Sequence, residues 1–423
     1  MSRTKPKKKC YVKENLTESD KSYVRIGVCK DLPVSYTQEG KSYCVLHYPS
    51  ISKIESFNAA IEERIKNNDF NFWGCYFPSD ITFSSPKSNQ SFVFINATFT
   101  CKATFMGIFE GDLDFRGAVF DEKSDITFFW AGLRNGVDLR NAIIRGSLRF
   151  EGGEYMNNEE GELVDVLQLV FEGHGAWLDL QNVIIEKPER VVFHTVRLQP
   201  NWFVNVDCRK FVFTDCRWIT PDGEKLSTDG ELEGVVMKNG MGNTVNPHPL
   251  LTKTCLQLSE NYESNKEYQQ ASIFRQIANE SRRFEEYRGY KIWSLHWWYW
   301  LLSFYGESWK RAALWLVLFT ALFAIGYASP FSQFTNSNKQ AVAIEKDADE
   351  IDRQMTAYAK EANEYRLLDF PEALFYSLRV GSFQRPEPQP ANNLARGLVA
   401  IETILVPFQA ALLAFAIRRR FMQ

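Results

Sequence analysis

Large apolar residues between about Asn71 and Asp222 recur at steps of five: Phe94–Phe99, Phe115–Phe120, Leu139–Ile144, Leu180–Ile185, Phe193–Leu198 and Phe213–Trp218. Small residues stand two positions before many large ones: Ala97 before Phe99, Ala103 before Phe105, Ala118 before Phe120, Ala142 before Ile144, Cys216 before Trp218. A helix repeats every 3.6 residues and a strand every two, so neither explains a step of five. The pattern predicts a coil of four short faces that turns after about five residues, with one large and one small side chain inward per face. Stacked coils bury a continuous column and pair their backbones from rung to rung. Glu151–Gly161 and Gly173–Ala176 interrupt the repeat.

Elsewhere the pattern changes. Residues 1–69 are mixed and polar, with one helix predicted at Ile51–Lys66. Residues 223–250 carry five glycines and an Asn246-Pro247-His248-Pro249 run, which reads as a linker. Leu251 to Tyr290 reads as two helices, the second with Tyr268, Ala271, Phe274, Ile277 and Phe284 at helical spacing. Ala312–Ala328 and Gly397–Ile417 are apolar enough and long enough to span a bilayer. Six of the eleven tryptophans fall between 293 and 315, marking an interfacial helix ahead of the first span. Between the spans, Ile344, Ala348, Ile351, Met355, Tyr358, Ala362 and Tyr365 form an apolar seam, predicting an external self-associating helix over 340–366.

The five-residue repeat resembles the pentapeptide-repeat family, and the resemblance implies a right-handed quadrilateral β-helix over 70–222. Phe370-Pro371-Glu372-Ala373-Leu374-Phe375-Tyr376-Ser377-Leu378 resembles the pore helix of two-span potassium-channel-like proteins. That likeness implies a re-entrant pore-type segment and a homo-oligomer, most simply a tetramer. The run after it, Arg379-Val380-Gly381-Ser382-Phe383-Gln384-Arg385, does not match a potassium filter, and rings of Arg379 and Arg385 would repel cations. Within the second span, Glu402 and Gln409 lie two turns apart on one face. A carboxylate at that depth needs water or a partner, so Arg379, Gly381, Glu402 and Gln409 are the candidate pore residues.

The chain's 423 residues allow two or three units of ordinary size, and a mean hydropathy of −0.30 excludes a mostly membranous transporter. A net charge of −3 argues against nucleic-acid binding, although five of the first nine residues are basic. All eight cysteines precede residue 256, and no apolar core follows the basic start. No secretory signal peptide is therefore expected, and the cysteine-bearing part is placed in the reducing cytosol. Lys310 and Arg311 precede the first span and Arg418, Arg419 and Arg420 close the second, so both termini are expected to face the cytosol of a cell membrane.

Cys10, Cys29, Cys44 and His47 offer three thiolates and an imidazole, a set that zinc accepts in a structural site. The five histidines fall in no catalytic motif, so an enzyme is not expected. The domains read as 1–69 with the zinc ligands, 70–222 the β-helix, 223–250 the linker, 251–309 cytosolic and interfacial helices, and 310–423 the two-span unit. This suggests an oligomeric membrane channel or pore-former controlled by a cytosolic repeat domain, of a kind suited to defence or stress. One alternative is a membrane-anchored scaffold that binds a cytosolic protein or ligand without conducting. The other is a DNA-mimicking topoisomerase inhibitor, against which the only mildly acidic balance over 71–222, 21 acidic to 14 basic residues with arginines interspersed, argues weakly.

Overall fold

Phe83, Phe105, Phe128, Phe150, Phe193 and Phe213 pair in direct register across a six-stranded parallel sheet. Successive rings in this row lie 4.6–5.5 Å apart, with planes within 20°. They belong to a β-solenoid of about five turns, seen in a computed structural model. The structure describes residues 10–14, 32–86, 89–153, 156–157, 163–164, 171, 175–220, 224–238, 246–286, 294–335, 366–384 and 387–421. Cys29, Arg385 and the seam Ile344–Tyr365 lie outside them.

Two further parallel sheets carry the same logic. Phe77, Phe99, Phe120, Ile144 and Ile185 align in a five-stranded sheet, and Phe92, Leu113, Val137 and Leu178 in a four-stranded one. Phe72, Phe94, Phe115, Leu139 and Leu180 fill a fourth row at the turns between them, and are fully buried. Each turn is closed by an N–H donating to the carbonyl three residues back, as from Ala97 to Phe94 (3.0 Å), Ala118 to Phe115 (2.9 Å) and Ala142 to Leu139 (3.0 Å). The residue just before the donor has positive φ: Gly74, Asn96, Gly117, Asn141 and Asn182. Glycine and asparagine tolerate that conformation with the least steric cost.

Both ends of the column are covered. At the start, helix Ile54–Lys66 sets Phe57 edge-on to Phe77, 5.5 Å away. At the far end, helices Pro247–Ser264 and Tyr268–Glu286 place Tyr262 over Phe213 and Phe274 against Trp218. The Asn261 amide lies 2.8–3.1 Å from the carbonyls of Cys208, Arg209 and Phe211, covering backbone acceptors that have no further coil to bind. The stretch read as a linker holds a helix as well, Thr228–Lys238. Its Glu231 accepts from the Asn201 backbone and side chain (2.8 Å each), and a Cβ on Gly234 would come 2.6 Å from the Asn201 amide. That glycine serves close approach rather than flexibility.

The chain divides into two units, Met1–Glu285 and Glu286–Gln423. The second contains two helices long and apolar enough to cross a membrane, Trp309–Tyr327 and Asn393–Phe421. Nineteen residues rise about 28 Å, close to the hydrocarbon thickness of a bilayer. Leu314, Val317, Ile401, Ile404 and Phe408 face outward along them. The short helix Leu295–Ser303 precedes the first span, joined through Phe304, Tyr305 and Gly306, all with positive φ. A third helix, Phe370–Gly381, packs on both spans through Ala373, Tyr376, Ser377 and Val380. Its 12 residues rise about 18 Å, too short to cross.

Candidate functional site

Two buried polar constellations stand out, one in each unit. In the first unit, the strands Val34–Gln38 and Lys41–Cys44 form an antiparallel hairpin whose turn residues Glu39 and Gly40 have positive φ. The second strand ends at Cys44, and the following turn, closed by His47 N–H on the Cys44 carbonyl, brings His47 back beside it. Cys10, at the start of the helical turn Tyr11–Glu14, completes a group whose ligand atoms all lie within 4.8 Å of one another. Nδ1 of His47 is 3.1 Å from Cys44 Sγ and 3.5 Å from Cys10 Sγ, while the Cys44 N–H donates to Cys10 Sγ at 3.4 Å.

The opposite ring nitrogen is committed as a donor: Nε2 lies 2.9 Å from the Trp73 carbonyl, which can only accept, so it carries a proton while Nδ1 faces the thiols. Cys75, which the sequence reading passed over, is also buried, and its charge acts on the His47 ring. Burial works against charge on His47, but the hydrogen bonds to Cys10 and Cys44, with Cys75 adding to them, outweigh it and raise its pKa well above the ordinary value. Lys53 lies beside this group, almost wholly buried, with Nζ donating to the Leu46 carbonyl at 2.8 Å. Burial pushes the ammonium down to about 7, against the opposing pull of Cys75, Cys44 and Cys10. The other buried thiols differ. Burial raises Cys208 and Cys255 and leaves them unreactive.

In the second unit, Glu402 is fully buried within the chain. The Tyr327 hydroxyl donates to one carboxylate oxygen at 2.5 Å and the Ser377 hydroxyl donates to the other. One residue from each of three helices thus meets at a single carboxylate. Gln409 is also fully buried, its amide donating to the carbonyls of Leu302 (3.2 Å) and Ala312 (2.8 Å). The demand that a membrane carboxylate find water or a partner is met here by partners in its own chain. Gly381 serves close packing: a Cβ there would come 2.8 Å from Val406 Cγ1. Arg379 points outward. The four candidate pore residues therefore do not converge on one lining.

Near the start of the first span, Arg311 lies over the Trp300 and Phe304 rings (5.4 and 5.1 Å), and Arg419 pairs with Glu307 at 2.7 Å. Comparison with models of known protein families, with curated proteins and with solved structures finds no match.

Proposed function

We propose that this chain is a homo-oligomeric two-span membrane channel, governed by a cytosolic solenoid whose coil is right-handed and quadrilateral. The observation that carries the reading is helix Phe370–Gly381, inserted between the spans and packed on both. A simple tether needs one span and nothing between two. A short helix held beside two spans is instead what a re-entrant segment requires, provided that further copies surround it, since two spans cannot enclose a path. Its outer side is apolar at Phe375 and Leu378, surface that a neighbouring copy would cover. In this reading the conducting path does not pass Glu402 or Gln409, which brace the subunit. Arg379 faces the mouth, and both termini face the cytosol.

Ion flux through liposomes containing the purified full chain tests the proposal. Salt-dependent flux is expected, shifting toward cations in Arg379→Glu. Silence across voltages and salts would leave the scaffold reading, in which the spans only anchor the solenoid. Labelling a cysteine placed at Thr335 from outside intact cells checks the topology.

We also read the group around His47 as the seat of one structural zinc. Two ligands of a tetrahedral zinc, with bonds of about 2.3 Å to sulfur and 2.0 Å to nitrogen, stand about 3.5 Å apart. The sulfur–Nδ1 distances of 3.1 and 3.5 Å fit that spacing.

A further inference from the structure

The five-stranded sheet of the solenoid stops one coil short of the six-stranded one. Ile184–Ile185 is its last strand, while the six-stranded sheet runs on to Val212–Thr214. At earlier junctions of the five-stranded sheet, the following coil supplies two N–H groups, two residues apart. Ile143 and Arg145 donate to the carbonyls of Ala118 and Phe120 (2.8 Å each), and Ile184 and Glu186 to those of Ala142 and Ile144 (2.9 and 3.0 Å). The carbonyls of Val183 and Ile185 hold the same two places in the last strand, and no donor among the described residues reaches either. Groups alternate sides along a strand, so the Ile185 N–H faces forward with them, and it too has no acceptor among the described residues. Phe99, Phe120 and Ile144 in the inward row are buried, but Ile185 is only half-buried and Ile184 is exposed.

The chain that passes this edge is committed elsewhere. The Arg209 N–H donates to the Asp207 carboxylate at 3.2 Å, and the carbonyls of Cys208, Arg209 and Phe211 face the Asn261 amide. A cavity of about 310 Å³ is left, lined by Val183, Ile185 and Pro188 and by Val206, Arg209 and Lys210. Asp207, also on its wall, is held by Arg209 at 2.7 Å. Lys210 is exposed and has no carboxylate partner among the described residues. The wall thus offers a donor and two acceptors in strand register, an apolar floor and one unspent positive charge.

We propose that this notch docks one extended segment of an acidic partner protein, added as a parallel strand beside Ile184–Ile185. One residue of the segment would give its N–H to the Val183 carbonyl and take the Ile185 N–H on its own carbonyl. The N–H two residues on would reach the Ile185 carbonyl, which is the register of the earlier coils. The residue between them sets an apolar side chain toward Ile185 and Val206, and a neighbouring carboxylate meets Lys210. Main-chain bonds supply affinity in such strand addition, and the pocket and the charge supply selectivity. A second copy placed on this edge about a twofold axis would bring Lys210 toward Lys210, so charge favours a different chain. The notch is one short strand wide, and the end of the column beyond it stays closed by Asn261. The proposal depends on neither the zinc nor the channel reading.

Purified full chain in detergent, panned against phage carrying random eight-residue peptides, tests it, with synthetic copies of the enriched peptides as probes. Those peptides are expected to place a branched apolar residue beside Asp or Glu. Ile185→Pro removes an N–H that bonds to nothing in the free chain, so its melt should match wild type. Its affinity for the peptides should fall about tenfold or more, as should that of Lys210→Glu, an exposed change that leaves the coil intact. In hydrogen exchange the Ile185 amide should be fast in the free chain and slow with peptide bound. No enriched peptide, or peptides that bind wild type and both variants alike, would overturn the proposal. So would an Ile185 amide already slow in the free chain. A drop in oligomer size in Ile185→Pro by light scattering would assign the edge to a second copy and end the partner reading.

Discussion

In the solenoid unit Phe105 and its stacked neighbours face inward with no exposure, whereas in the second unit Leu314, Val317 and Ile404 present about two thirds of their surface outward, at 67%, 67% and 71%. The polar residues are arranged the other way. Asp114, Arg116 and Arg140 lie part-exposed on the outside of the coils, with Asp138 buried against Arg140, while Glu402, Gln409 and Ser377 are fully buried between helices. The first unit keeps its charges toward its surface. The second, whose two long helices are apolar enough to cross a membrane, turns its polar groups inward, where they find each other. One set of side-chain preferences yields opposite constructions in the two units.

The contrast can be broken most directly by truncation. Phe105→Ala should destabilise the full chain by about 3–5 kcal/mol, because it opens a cavity in the middle of the stack. Ile404→Ala should change stability by less than about 0.5 kcal/mol in detergent, its side chain being outward already. Denaturant titration of both variants decides this. Equal losses would mean that the second unit hides an apolar interface on that side.

A smaller loss is expected from Asn261→Ala, about 2 kcal/mol, since the carbonyls of Cys208, Arg209 and Phe211 lose their donor. Hydrogen exchange should rise first at Val212–Thr214, the last strand of the six-stranded sheet. Tyr327→Phe should cost about 1–1.5 kcal/mol, as one oxygen of a buried carboxylate is left short of a donor. Thermal melts in detergent would show it, and an unchanged melt would indicate that water reaches Glu402. The smallest effect belongs to Arg145→Ala. Its pair with Glu186 is half exposed, so a change within about 0.5 kcal/mol is expected, vanishing in high salt.

Much of the column could be read from the chain, because a step of five has no other regular explanation and the large residues in those steps are the ones that stack. The corner residues went unread, although the chain carries their signal. Asn96, Gly117 and Asn141 stand directly before Ala97, Ala118 and Ala142, and the turn they form requires positive φ. Cys44 and His47 were found because a ligand pair at close spacing is a local signal. The partners of Glu402 were invisible. Tyr327 and Ser377 reach it from two other helices, and that meeting depends on packing rather than on any spacing within one helix. Glycines 230 and 234 misled for a physical reason as well, since a missing side chain serves a tight contact as readily as a hinge.

The covered ends of the solenoid carry one more consequence. A stack of parallel coils is a short linear crystal, and an open terminal rung is a growth face on which another copy could deposit. Here one face carries the Leu46 carbonyl on the Tyr76 N–H, and the other the Asn261 amide across three carbonyls. Both faces are poisoned against further growth. The repeat can therefore lengthen only by gain of a whole coil within the gene, and fibres seeded end to end are closed to it.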